Sequence, residues 1–169
     1  ELDLIIHETM RCGTIVKNLL LFSRKQVGEF GVVPVSTIVE RAAQLVQHHF
    51  QISNVRFSSR SGAEPATLLC DENQIQQALV ALFVNAVEAM PDGGALTVEV
   101  RREHGELRLE VADTGQGIAE EDVAHIFEPF FTTKQDGKGV GLGLSVVYGI
   151  VERHGGKITV RSAPGRGTT

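Results

Sequence analysis

The chain has 169 residues, and 42% of them are hydrophobic, enough for one domain with a core and an appended element. Its formal net charge of −5 argues against nucleic acid as a partner, since duplex binding usually needs a basic face. No apolar run approaches the roughly 20 residues needed to cross a bilayer, and no signal peptide is visible, so no membrane contact by this segment is expected.

Residues 1–26 read as one long helix. Leu2, Ile5, Thr9, Cys12, Val16 and Leu19 alternate steps of three and four, the spacing of a bundle or coiled-coil seam. Residues 28–36 read as a linker. A helix is expected over 37–50, with Thr37 and Glu40 spaced as a capping box. Short β-like runs follow at 55–58 and 66–70. Asp71 then caps a helix reaching about Met90, closed by Pro91 and the turn Asp92-Gly93-Gly94. Residues 96–102 and 107–111 alternate as a strand pair around His104-Gly105. A short helix near 120–126, a helix over 144–154 stopped by Gly155 and Gly156, and a last strand over 157–162 complete the reading. Helices on one face of a mixed sheet are the natural architecture, an α+β fold.

Cys12 and Cys70 lie far apart without metal-ligand spacing, so reduced cytosolic thiols are expected. The histidines form no zinc pattern, and the adjacent His48 and His49 point to different helix faces.

The chemistry concentrates between Asp113 and Ser145, which read DTGQGI, FEPFFTTK and GKGVGLGLS in that order. The Asp113 carboxylate can accept a hydrogen bond from an exocyclic amine of a base. Gly115 and Gly117 leave room for a base to approach the backbone. Gly139, Gly141 and Gly143 expose amide groups just before a helix N-terminus, where anions are favoured. The Walker and dinucleotide patterns both fail: Lys138 precedes Gly139, and the glycine spacing is G-x-G-x-G after a polar loop. Upstream, Gln74, Gln77, Ala81, Asn85 and Glu88 share one stripe of an otherwise apolar helix, a stripe that spacing alone would equally well turn to solvent. Asp113 as an ordinary turn residue, Lys134 as a solvated surface lysine and the phenylalanines as core are the plainer readings.

With NAVEAM added, these boxes resemble the ATP-binding domain of sensor histidine kinases, and the resemblance covers essentially the whole chain. The wording NAVEAMPDGGAL, FEPFFTTK and GLGLSVVYGIVERHGGKI is most similar to the nitrogen-regulation type. The resemblance implies a two-layer α/β sandwich of the histidine kinase, gyrase and chaperone ATPase type, preceded by a long bundle helix. It divides the chain into 1–27, the second helix of a dimerisation hairpin, a linker at 28–36, and a catalytic domain over 37–169 whose last strand is cut short.

Carried over to this sequence, Asn85, Glu88 and Ala89 belong to the N box, and Asp113, Gly115, Gly117 and Ile118 to the first glycine box. Thr132 and Lys134 follow the F box at 127–131. Gly139, Gly141, Leu142, Gly143 and Leu144 form the second glycine box, and Thr168 lies in the last. All are expected at ATP, with Asn85 also holding Mg²⁺, an ion that takes few protein oxygens and keeps its waters. At least one of Phe127, Phe130 and Phe131 is expected to anchor the lid. Ala81 stands where many histidine kinases have a second asparagine and related ATPases a glutamate that activates water.

The implied activity is transfer of the γ-phosphoryl of Mg-ATP to a histidine outside this chain, and thence to a response-regulator receiver domain. A cytoplasmic homodimer joined through the N-terminal helix is implied. His7-Glu8 looks like the start of a phosphoacceptor box but lacks its continuation; Glu8, Arg11 and LLLFSRK match the second hairpin helix instead. His125 and His154 read as structural. Two other functions remain, a superfamily ATPase driving dimer closure and a non-enzymatic nucleotide-sensing dimerisation module.

Overall fold

The computed structural model describes residues 28–62, 66–133 and 141–169. The expected helix over 1–26, with its seam and His7, lies outside them, as do Lys134 and Gly139. In chain order the elements are β1 (Gly31–Pro34), α1 (Val35–Ile52), β2 (Val55–Ser61), β3 (Thr67–Cys70), α2 (Glu72–Glu88), β4 (Gly94–Glu103), β5 (Glu106–Asp113), α3 (Glu120–Val123) and α4 (Gly143–Arg153).

The strands form two sheets: β1 and β3 pair antiparallel, and a three-stranded sheet has the order β2-β4-β5. Strand β4 runs parallel to β2 and antiparallel to β5. The parallel pair requires a long crossover, which β3 and α2 supply. Hairpin β4–β5 closes with positive φ at His104 (51°) and Gly105 (87°), the backbone a two-residue turn needs to match strand twist.

Helix α2 is apolar nearly all round because it is covered on two sides. Leu79, Phe83, Ala86 and Val87 enter the main core with Ile38, Val39, Ala42 and Val46 of α1 and Leu96, Val98 and Val100 of β4. Ala78 enters a second cluster with Val147 and Ile150 of α4. The outward face of β4 and β5 is charged. Register sets Glu99 opposite Glu110 and Arg101 opposite Arg108, and diagonal pairs such as Arg108–Glu103 (3.6 Å) offset the like-charge contacts. Such exposed pairs are worth less than about 1 kcal/mol each.

Several expectations are corrected. The segment 28–36 contains β1 and the start of α1, because Gly31 to Pro34 pair with Cys70 to Thr67. Helix α1 therefore begins at Val35, whose N–H donates to the Ala66 carbonyl (2.9 Å), and no side chain caps it. Thr37 falls inside the first turn, so the Thr37–Glu40 capping box does not form. Helix α3 ends at Val123, short of Ile126. Residues 157–162 form no strand; their strand-like backbone pairing is limited to a Ser162–Thr168 bridge and a mutual Arg161–Thr169 hydrogen-bonded pair around the turn between them.

Candidate functional site

The N-cap expected at Asp71 is present: its Oδ1 accepts from the N–H groups of Asn73 (3.1 Å) and Gln74 (3.2 Å). That start sets the rotation of α2, so that its C-terminal end brings Asn85 and Ala89 to the two glycine boxes. Asn85 is half-buried and lies against Gly143, the first residue of α4; a β-carbon on Gly143 would stand 3.4 Å from Asn85 Nδ2. Helix α4 has no side-chain cap; its N-cap is Leu142, which is buried and whose carbonyl accepts from Ser145 Oγ (2.9 Å). Among the described residues no side chain caps its first amide groups, a helix start suited to an anion beside the Asn85 amide.

A turn further along α2, Ala89 meets the first glycine box. The Gln116 N–H donates to the Ala89 carbonyl (2.9 Å). Gly115 packs so closely that a β-carbon would stand 2.6 Å from that same oxygen. Asp113 ends β5, and its Oδ1 accepts from Gly115 N–H (2.8 Å) while its own N–H donates to Thr168 carbonyl oxygen (2.9 Å). Burial pushes the Asp113 carboxyl above the ordinary range, and the N–H groups of Gly115 and Thr168 pull it partly back. A half-buried carboxylate is a strong acceptor for an amine.

The last glycine segment closes over the first. Gly117 has φ +72° and touches Ala163, where a β-carbon would come within 2.0 Å of the carbonyl oxygen. Ile118 N–H donates to Ser162 Oγ (2.8 Å), and Gly165 N–H to the Gln116 carbonyl (2.7 Å). Ser162 also donates to the Gly167 carbonyl (2.9 Å) and meets Thr168 Oγ1 (2.9 Å).

Thus Asn85, Ala89, Asp113, Gly115, Gly117, Ile118, Gly143 and Thr168 fall into one continuous region. Phe130 N–H donates to the Gly141 carbonyl oxygen (2.8 Å). Phe127 contacts Tyr148 of α4 (ring centroids 5.6 Å apart) and Phe131 contacts His125 (5.8 Å). Phe130 is exposed at φ +68°. Leu144 is half-buried, and Glu88 and Thr132 are exposed.

The polar stripe on α2 is divided between tasks. Gln74 is engaged by Asp71 Oδ2 (2.5 Å) and by Arg153 (3.1 Å). Ala81 packs with the α4 cluster. Sequence reasoning missed Thr114, whose hydroxyl accepts from Ala95 N–H (3.0 Å) and donates to Met90 Sδ (3.7 Å), and it missed Ser162. Thr114 carried a signal through its place inside DTGQGI; Ser162 carried none, because its partners come from distant segments.

Among the described residues no cluster of three or more His, Cys, Asp or Glu side chains could hold a metal. A neutral amide beside open backbone N–H groups fits an Mg²⁺ held chiefly by phosphate oxygens and water, and fits no fully protein-ligated ion.

This geometry has counterparts among known proteins. The sensor kinase CckA of Brucella abortus (strain 2308) is 36% identical over 94% of this chain and 18% of its own length. The sensor histidine kinase ZraS of Klebsiella oxytoca is 37% identical over 95% of this chain and 34% of its own. The chain thus spans about a third or less of these two curated relatives. A solved structure of histidine kinase ThkA in complex with the response regulator protein TrrA superposes with a TM-score of 0.79. The two are 29% identical, over 98% of this chain and 47% of that one. Residues 70–169, more than half of the chain, match the family described as histidine kinase-, DNA gyrase B-, and HSP90-like ATPase, and the nucleotide of such a domain is ATP. The chain belongs to that family.

Proposed function

We propose that this chain is the catalytic part of a sensor histidine kinase, which binds Mg-ATP and delivers its γ-phosphoryl group to a histidine. The observation that carries the reading is the placement of Asn85 against Gly143 at one end of a region whose other end is Asp113. Asp113 accepts the exocyclic amine of adenine, and Gly115 and Gly117 give the ring its approach. The α4 N-terminus receives the phosphates, and Asn85 offers its amide oxygen to Mg²⁺. When bound, that ion would neutralise phosphate charge. Lys134 is proposed to reach the phosphates as a point charge.

An imidazole nitrogen on another helix attacks the γ-phosphorus, forming an N–P bond as the bond to the β,γ-bridging oxygen breaks. ADP leaves, and the imidazole loses its other ring proton. The chain's contribution is positioning and charge neutralisation. The phosphoryl group then passes to an aspartate on a receiver domain, a step supported by the ThkA–TrrA complex. Assembly as a cytoplasmic homodimer through 1–27, and a domain boundary near residue 28, belong to the same proposal. Ala81, packed in the α2–α4 seam, cannot activate water, which disfavours hydrolysis as the main reaction.

Calorimetry with ATP in the presence and absence of Mg²⁺, followed by labelled-ATP incubation, tests this reading. Acid-labile, base-stable label on a supplied fragment carrying a phosphoacceptor histidine is the expected product. Label on His7 would assign the acceptor role to the first helix, and absence of ATP binding would overturn the reading.

A further inference from the structure

Helices α2 and α4 pack antiparallel, and the two ends of the pair differ in kind. One end carries Asn85 and Gly143, the phosphate end. The other carries Asp71 and His154. His154 Nδ1 donates to the Ile150 carbonyl (2.7 Å), which fixes the proton there and leaves Nε2 to accept from the Asp71 N–H (3.1 Å). The same Asp71 caps α2 through its side chain, and Gln74 bridges its carboxylate to Arg153. The C-terminus of α4 is thereby tied to the N-terminus of α2.

Residues 28–30 lie on this tie. Gly28 passes the Asp71 carboxylate so closely that a β-carbon would stand 1.6 Å from Oδ2. The Phe30 ring stacks on the His154 ring, centroids 5.0 Å apart and planes 29° apart. Phe30 is 48% exposed, so it adds little to the core, and its specific partner is an imidazole that holds two helices.

From these contacts we infer that Phe30 and His154 are positioning residues for the ATP site, forming with Asp71 a latch through which the segment before β1 sets nucleotide affinity. The inference rests on the ATP reading of the site. Phe30 seated on His154 fixes how α4 lies along α2, and the rigid helix carries that setting about 16 Å to Gly143 at 1.5 Å per residue. A close-packed seam transmits such a shift because it has little room to absorb it. The coupling is reciprocal: losing the seat weakens ATP, and binding ATP tightens the seat.

The test uses the full 169-residue chain, Mg-ATP as probe, and three variants, Phe30→Leu, His154→Ala and His154→Gln. Coupling of ordinary size predicts that His154→Ala weakens Mg-ATP binding by about 5- to 20-fold. His154→Gln, whose amide oxygen can accept from Asp71 N–H but which gives Phe30 no ring to stack on, should recover only part of the loss, and Phe30→Leu, which loses the stack and keeps the Asp71 bond, should likewise fall between His154→Ala and the unsubstituted chain. Mg-ATP should slow hydrogen exchange over residues 29–32 in the unsubstituted chain and not in His154→Ala. Unchanged Mg-ATP affinity in Phe30→Leu and His154→Ala, with only a lowered melting temperature, overturns the latch. If His154→Ala does not fold, Phe30→Leu alone decides between these results. Failure of the unsubstituted chain to bind Mg-ATP overturns the ATP reading and the latch together; binding that the variants do not weaken overturns the latch alone.

Discussion

Gly167 lies on the backbone of Asp113 so closely that a β-carbon would stand 2.0 Å from the Asp113 carbonyl oxygen. Its φ of +75° is also one that side chains rarely adopt. The last glycine segment is therefore built as a cover for Asp113, the residue proposed to read the base. Gly167→Ala is expected to cost about 1–3 kcal/mol from backbone strain, and more from the overlap. Denaturant titration with calorimetry should show both stability and Mg-ATP affinity falling, whereas Gly105→Ala, with open space around it, should leave affinity unchanged.

Asp113→Asn exchanges a charged acceptor for a neutral one at the base. A hydrogen bond to a charged group is worth about 1.5–3 kcal/mol, so ATP should bind roughly 10- to 150-fold more weakly. Calorimetry that finds equal affinities would refute the role given to this carboxylate.

The same substitution makes a prediction in pH. Burial raises the folded-state pKa of Asp113 above its unfolded value, so the folded chain binds that proton more tightly. Its contribution to stability is fully present below the unfolded value and is lost as pH rises through the folded one. Asparagine does not titrate there. The stability of Asp113→Asn relative to the unsubstituted chain should therefore rise across that window, measured as denaturation midpoints against pH.

Ser162 joins the Ile118 N–H to the Gly167 carbonyl and the Thr168 hydroxyl. Ser162→Ala leaves a part-buried N–H and carbonyl without this partner, at about 1–3 kcal/mol. The melting temperature should drop, and nucleotide affinity should drop with it, because the Gly117 turn loses its tie to the closing segment. Unaltered ATP affinity in a destabilised Ser162→Ala would show the tie to be structural only.

Phe83 is fully buried where α1, α2 and the three-stranded sheet meet, with Phe50 and Phe57 as ring neighbours (6.2 and 5.5 Å). Phe83→Ala should cost about 3–5 kcal/mol by lost burial and cavity formation. Chemical denaturation checks this, and Phe83→Leu should recover most of the loss.

Much of the site was legible in the sequence because its parts are local. The Asp113–Gly115 hydrogen bond spans two residues, Asp71 caps a helix starting at the next residue, and the His104-Gly105 turn needs only its own backbone angles. Periodicity likewise placed α2, β4 and β5, since apolar faces repeat at the element's own period. What only the tertiary structure decided involves residues far apart in the chain. Gly31 to Pro34 became a strand because Thr67 to Cys70 lie beside them, and α1 follows it directly from Val35, ahead of its apparent capping box. Ala81 looked like a member of a polar stripe until α4 packed over it. His154 and Ser162 gained their roles from Asp71, Phe30, Ile118 and Thr168, partners that no spacing rule connects. Local patterns are set by covalent geometry and solvent, whereas these contacts exist only once the core has brought distant segments into register.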